Sequence, residues 1–372
     1  MREVVGGRLV IGDAVVPGRV VADDGWITAI VPDEAYAAGP FVAPGFIDVH
    51  VHGWGGHDAT GDAAELSGMA RALLRQGVTS FLPTAPALAA DELPRFADRV
   101  RAWMPDAPAD GAEPLGFNLE GPFLAPARKG AHDPALLLTP AELDPRTLER
   151  VLEGLRIMTV APELDGSLAL IARLASLGIA VSLGHSAATL EEAQAGFAAG
   201  ARTTTHLFNA MSGADHRAPG LAAAALGDDA AYTELIADGF HVHPAIWTMV
   251  ARTKPADRLV LVSDALAIAG KGDGRTRVGG LDVEVRGGRA TLLGTDTLAG
   301  STMGLDTAVR NLVREGLPLP RAVAAAASNP AALLGAEDRG RLEAGRLAHL
   351  VVLDESLRIQ RVLRGEAWAD PD

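Results

Sequence analysis

Two histidines stand one residue apart at the end of an apolar run, Gly45-Phe46-Ile47-Asp48-Val49-His50-Val51-His52-Gly53. In an extended strand alternate side chains point the same way, so His50 and His52 share a face. Two imidazoles aimed at one point begin a divalent-metal site. Four more apolar runs end in a ligand or a base: Leu115–Glu120, Ile179–His185, Thr203–His206 and Leu259–Asp264. A lone histidine is more often a solvated or hydrogen-bonded structural group; its recurrence at equivalent places is what points to chemistry. One carboxylate (Glu120) with two imidazoles (His185, His206) leaves open coordination positions, as a catalytic metal site requires. Asp264 has an unperturbed pKa of about 3.9, which a nearby cation lowers further. It is therefore ionised at neutral pH and available as a base toward water that a metal acidifies to roughly pKa 7.

Strand ends are where an eight-stranded α/β barrel builds its active site. The runs alternate with helical patterns from about Phe41 to Gly335. The strands expected after the His-X-His run are Val78–Ala85, Leu115–Glu120, Ile157–Ala161, Ile179–Gly184, Thr203–Leu207, Thr233–Ala237 and Leu259–Ser263. Amphipathic segments such as Leu168–Leu177 and Thr189–Ala199 lie between them. Eight βα units fit a closed barrel better than an open doubly wound sheet, and no glycine-rich phosphate loop is present. After Asp264 the pattern breaks, and Lys271–Leu293 reads as β-hairpins inserted into the barrel. Ser301 is expected to cap a following helix with Leu305, Ala308, Val309, Leu312 and Val313 on one face.

Both chain ends read as short strands. Val20–Ala22 and Trp26–Ile30 flank the turn Asp23-Asp24-Gly25, and Ala348–Leu353 and Ile359–Leu363 form a similar pair. The expected organisation is an α/β protein with a TIM-like (β/α)8 metal-dependent hydrolase barrel at 44–336, with its hairpin insertion near 271–300. Residues 1–43 plus 337–372 are expected to form a small β-sandwich domain.

The 372 residues carry a net charge of −14 and only three lysines, Lys129, Lys254 and Lys271. That charge argues against nucleic acid or an anionic membrane as partner. An anionic substrate needs local positive charge set against the field of the whole protein. With no cysteine in the chain, disulfides and thiolate ligands are excluded, and any metal is held by His, Asp and Glu. No run reaches the ~20 apolar residues of a membrane span, and the N-terminus lacks a signal-peptide core, so a cytoplasmic location is expected.

Glu120-Gly121-Pro122-Phe123, Gly184-His185-Ser186, Thr205-His206-Leu207-Phe208-Asn209-Ala210-Met211, Ala237-Asp238-Gly239 and Ser263-Asp264-Ala265 together resemble the N-acetylglucosamine-6-phosphate deacetylase family of the amidohydrolase superfamily. The resemblance runs essentially the whole chain. It implies that Glu120, His185 and His206 are metal ligands and Asp264 the catalytic base. It implies that His132, in Lys129-Gly130-Ala131-His132, contacts the substrate near the scissile amide. Ala131, Asn209 and Ala210 are implied sugar-phosphate contacts, and Arg217 and His241 implied phosphate positions, one of them supplied across a homodimer interface. Leu298-Ala299-Gly300 matches a loop over the acetyl group. The implied cofactor is one or two divalent cations, with Zn2+ ahead of Fe2+, Mn2+ or Co2+. Some relatives lack the histidine pair and use one metal; here His50 and His52 are intact, which leaves place for a second. His349 stands where the superfamily commonly has Asp.

The expected reaction is hydrolysis of the acetamide of a phosphorylated amino sugar, in amino-sugar catabolism or cell-wall recycling. Two rivals stay open. Another barrel amidohydrolase, a cyclic amidase or an aminoacylase, often needs a carboxylated lysine, and no barrel strand here ends in one. A non-catalytic scaffold usually shows missing ligands, and none is missing.

Overall fold

A computed structural model describes residues 2–371. All eight expected barrel strands are present: Phe46–Val51, Val78–Ala85, Phe117–Glu120, Leu155–Val160, Ala180–Leu183, Thr203–Thr204, Thr233–Leu235 and Leu259–Leu261. The first six form one parallel path in chain order, and the last two pair with each other. Backbone bonds close the ring. Leu207 N–H donates to Glu234 O (2.8 Å) between the sixth and seventh strands, and Asp264 N–H donates to His50 O (2.9 Å) between the eighth and first. Asp48 reinforces that closure, since its Oδ1 accepts from Ser263 N–H on the eighth strand and from His50 N–H on its own. Burial pushes this carboxyl up to about 7.

The strands are buried on both faces and read as near-continuous apolar runs, as parallel strands covered by helices do. Helices Ala63–Arg75, Glu92–Trp103, Ser167–Ser176, Leu190–Ala198 and Pro244–Thr253 lay their apolar faces on the outside of the barrel. Local chemistry sets where they begin. Asp62 accepts from Ala64 and Glu65 N–H, and Thr189 and Glu192 form a reciprocal capping box.

The helix after the hairpins differs from expectation. It spans Leu305–Arg314 with Gly304 at its N-cap. Ser301 instead uses its hydroxyl to bond Ser263 O and to accept from Met303 N–H, stitching this loop to the end of the eighth strand. A serine beside a strand end satisfied its hydroxyl there before the helix began. Leu305, Ala308, Val309 and Leu312 are buried as the spacing implied. The insertion is a three-stranded antiparallel sheet, Gly274–Val278, Leu281–Arg286 and Arg289–Leu292, on its own apolar cluster of Leu266, Val278, Val283, Val285, Ala290 and Ala299.

Both chain ends meet in one seven-stranded sheet. Its order is Ala367–Ala369, Ile359–Arg364, His349–Leu353, Phe41–Pro44, Arg2–Ile11, Ala14–Asp23 and Trp26–Pro32. Phe41–Pro44 joins the two ends, parallel to the first strand and antiparallel to His349–Leu353. The sheet turns back on itself at a bridge between Trp26 and Leu347, and Val20, Ile27, Leu350 and Leu363 share one cluster.

Where this sheet meets the barrel, Arg339 is buried and bonds Ser80 Oγ (2.9 Å), Glu113 Oε2 (2.9 Å) and Asp338 Oδ1 (2.9 Å). His349 lies buried nearby, its Nδ1 without a hydrogen-bond partner among the described residues. Burial, with the charges of Arg339 and Arg364, pushes it down to about 3. The unfolded chain therefore takes up this proton first, at about pH 6.5, and stability is lost as pH falls from there toward the folded-state value. Thermal melts across this range are expected to show a shallower fall in Tm for His349→Gln than for the wild type. Equal falls would assign the acid sensitivity elsewhere.

Candidate metal centre and active site

The strand ends converge as the sequence implied. His50 and His52 leave the first strand, Glu120 ends the third, His185 and His206 follow the fifth and sixth, and Asp264 follows the eighth. All six are buried. They form two groups, His50/His52/Asp264 and Glu120/His185/His206, whose ligand atoms lie within 4.8 Å of one another in each. Glu120 faces both: Oε1 lies 3.0 Å from His185 Nε2 and 2.9 Å from His206 Nε2, and Oε2 lies 3.2 Å from His52 Nε2. Asp264 Oδ1 lies 3.2 Å from His52 Nε2.

Backbone conformation aims three of these side chains. His185, His206 and Asp264 have φ of 46°, 29° and 50°, in the left-handed region that non-glycine residues seldom occupy. Each is the turn residue that swings a side chain from the strand direction over the barrel mouth. Gly184 permits the approach before His185, since a Cβ there would stand 2.6 Å from Thr205 Cβ.

The outer nitrogens set the tautomers. His52 Nδ1 lies 3.0 Å from Thr84 O and His185 Nδ1 lies 2.9 Å from Arg128 O, so each donates Nδ1–H to a carbonyl. Their Nε2 lone pairs then point inward. His185 Nε2 and His206 Nε2 lie 3.1 Å apart, and His50 Nε2 has no hydrogen-bond partner among the described residues. Protons can satisfy only some of these contacts, whereas a cation satisfies all of them. The donor set fits a divalent ion at each group, with Glu120 able to bridge.

The charges agree. Burial alone would raise Glu120, but His50, His132 and His185 hold it well below the usual carboxylate range. Asp264 is likewise opposed by burial and held down to about 2 by His52 and His50. Burial opposes protonation of His52, and Asp264 and Glu120 overcome it, pushing it up to about 9.

His132 differs. Ala87 N–H donates to its Nδ1 (3.2 Å), so Nε2 carries the hydrogen, and burial, opposed by Glu120, lowers its pKa. A neutral imidazole is thus held with a donor facing Glu120 Oε2, 3.3 Å away, at the cavity wall. His241 Nδ1 lies 2.7 Å from Asp238 Oδ2; burial opposes protonation, but Asp238 raises the pKa.

These groups line a cavity of about 460 Å3. Ala131, His132, Asn209, Ala210, His241, Leu298 and Gly300 line it as the sequence reading required. Three candidates do not reach its wall. His50 is fully buried beneath it, Ala299 packs in the hairpin core, and Arg217 is exposed on a loop with its Nε bonded to His216. Sequence reasoning missed Arg128 and Arg289, the only Arg or Lys side chains among the described residues at the wall. It also missed Glu234, fully buried behind His50. Arg289 sits on an inserted strand with no chemical motif around it. Glu234 was visible only as a carboxylate inside the apolar run Thr233–Ala237.

A metal-assisted hydrolase barrel is the class this fold and site define. A family model described as "Amidohydrolase family" matches residues 41–367, and the chain belongs to this family. Within it, the chain is 40% identical over 351 residues to an Escherichia coli O157:H7 protein named N-acetylgalactosamine-6-phosphate deacetylase, covering 91% of each. It is 38% identical to human N-acetylglucosamine-6-phosphate deacetylase, covering 95% of this chain and 90% of that protein. A Mycobacterium smegmatis N-acetyl-D-glucosamine-6-phosphate deacetylase variant, solved with N-acetyl-D-glucosamine-6-phosphate, superimposes with a TM-score of 0.90 at 36% identity over 99% of each chain.

Glu120→Gln is expected to strip metal from both groups, because the one carboxylate that faces each loses its charge. Elemental analysis after removal of free ion checks this; full retention would remove Glu120 from the ligand set.

Proposed function

We propose that this protein hydrolyses the acetamide of N-acetylglucosamine 6-phosphate, releasing glucosamine 6-phosphate and acetate. The observation that carries the reading is the two-sided placement of Glu120 between two histidine groups, with ionised Asp264 beside it at one cavity wall. Glu120, His185 and His206 are the primary ligands, and His50 and His52 hold a second ion. Zn2+ is the first candidate on donor type, with Fe2+, Mn2+ and Co2+ compatible. When bound, such an ion polarises the acetyl carbonyl and acidifies water.

The chain's own residues do the rest. His132 donates its Nε2–H to the carbonyl oxygen and stabilises the charge that develops there. Asp264 takes a proton from the attacking water as oxygen adds to the carbonyl carbon. It then returns that proton to the amide nitrogen as the C–N bond breaks, so the amine leaves neutral with acetic acid, whose remaining proton passes to the amine or to water to give acetate. Leu298 and Gly300 close the acetyl side. Asn209, Ala210 and His241 meet the sugar phosphate, and Asp238 at Nδ1 leaves His241 Nε2 to face it.

A homodimer belongs to this reading. Arg217 lies outside its own cavity on an exposed loop, and Phe240 and Met249, 45% and 48% exposed, flank the His241 segment. A second copy seated on that face brings Arg217 to a neighbouring cavity. The division into a catalytic barrel at 44–336 and a terminal β-sandwich of 1–43 plus 337–372 is part of the same proposal, as is a cytoplasmic setting. Among the described residues no helix is long and apolar enough to cross a membrane.

The Escherichia coli relative's name favours a second reading, with the C4 epimer N-acetylgalactosamine 6-phosphate as substrate. Acetate release from both hexosamine phosphates, with and without chelator, tests the two together. Release that chelation abolishes and Zn2+ restores is expected, faster for the gluco epimer; faster release from the galacto epimer selects the second reading. In this assay Asp264→Asn keeps its shape but accepts no proton. Its kcat is expected to fall about 10²–10⁴-fold with metal still bound. Activity within about tenfold of wild type would point to another base.

Arg217→Ala tests the phosphate assignment. Loss of a charge-assisted bond of about 1.5–3 kcal/mol lowers kcat/KM for the phosphorylated sugar roughly 10–100-fold. The weak activity on unphosphorylated N-acetylglucosamine is expected to stay nearly unchanged. Equal losses on both substrates would make Arg217 a support for its loop.

A further inference from the structure

We propose that Glu234 is a positioning residue that makes His50 a metal ligand and so gives the centre its second ion. Glu234 lies on the seventh strand, Thr233–Leu235, is wholly buried, and does not line the cavity. Its Oε2 lies 3.3 Å from His50 Nδ1 and accepts the backbone N–H of His206 at 3.2 Å. Its Oε1 has no partner among the described residues. A buried carboxylate is costly unless paired. The partners here are both parts of metal-site residues, one from each group.

The tautomer follows from this contact. A carboxylate at Nδ1 fixes the hydrogen on that nitrogen and leaves the Nε2 lone pair facing inward, and it makes the imidazole a better donor to a cation. His50 Nε2 lies 3.6 Å from Glu120 Oε1 and 3.7 Å from Asp264 Oδ1, too far to be satisfied by either. His52 and His185 have their outer nitrogens on backbone carbonyls. Among the described residues only His50 is backed by a charge, and it is the most deeply buried of the set, at 0% exposure. Without Glu234, an isolated ring in the barrel floor would be free to turn or to place its hydrogen on Nε2, toward the ion's position. The same oxygen pins the His206 backbone, whose left-handed φ aims a ligand of the other group. A purely structural Glu234 would therefore disturb His206, while a positioning Glu234 acts mainly through His50.

The inference rests on the metal-centre reading above but not on the substrate, so it is tested by binding. Chelated full-length protein is titrated with Zn2+ alone, for the wild type, Glu234→Ala and Glu234→Gln, with circular dichroism confirming the folded state. The wild type is expected to take two equivalents. Glu234→Ala is expected to bind the second roughly 100-fold more weakly and Glu234→Gln roughly tenfold, the range outer partners of metal ligands carry. The first equivalent, at Glu120, His185 and His206, is expected to keep its affinity in both. If Glu234→Ala does not fold, Glu234→Gln decides: a weaker second equivalent with an unchanged first supports the proposal. Equal weakening of both equivalents overturns it in favour of a scaffold role through His206. Unchanged binding of both overturns it, and so does a wild type that takes only one equivalent. Acetate release measured on the same samples separates these results from failure of the substrate assignment, since metal binding needs no sugar.

Discussion

Glu120 is a carboxylate buried among imidazoles, and the rest of the site is arranged around what that costs. A charge removed from water must be met by opposite charge and hydrogen bonds, or it neutralises. His185, His206, His52 and His132 all approach within 3.3 Å of its two oxygens. No arrangement of protons satisfies all four contacts and the 3.1 Å approach of His185 to His206. A divalent ion does. The barrel supplies the stiffness to hold these donors together, because all but His132, which lies on a loop, sit at or just past the end of a fully buried strand.

The same constraint separates roles among chemically similar residues. His52 and His185 donate outward to carbonyls and offer lone pairs inward, whereas His132 accepts from Ala87 N–H and keeps its hydrogen toward the cavity. One backbone contact thus decides whether an imidazole is a ligand or a hydrogen-bond donor to a substrate oxygen. Asp264 is kept ionised although buried, by histidine charge rather than by solvent. The deacetylation chemistry needs both kinds of imidazole and that carboxylate within one small cavity.

The hairpin insertion and the terminal sheet serve different ends. The insertion brings Val278 and Arg289 to the cavity wall and packs Ala299 behind the loop that carries Leu298 and Gly300. The terminal sheet lies at the other end of the chain's logic. It is fastened through Arg339 to Ser80 and Glu113, and it buries His349 in its neutral form. Its expected contribution is to stability, and it weakens in acid as the unfolded chain takes up the His349 proton.

The periodicity of the chain was enough to locate all eight barrel strands, because strands covered on both faces are apolar at every position and end abruptly at polar residues. It was enough to place Glu120, His185, His206, His50, His52 and Asp264 at equivalent strand ends, and so to require that they meet. The hairpins after Asp264 were legible from their glycines and alternating valines. Ser301 misled, because a serine before a helical pattern caps a helix or bonds a strand end equally well, and only the fold supplied Ser263 as its partner. The direction of each imidazole, the left-handed turns at His185, His206 and Asp264, the exclusion of Arg217 from its own cavity and the pairing of Glu234 with His50 were decided by tertiary structure alone. They depend on contacts between residues tens to hundreds of positions apart: Glu234 and His50 are separated by 184 positions, and local pattern carries no information about such distances.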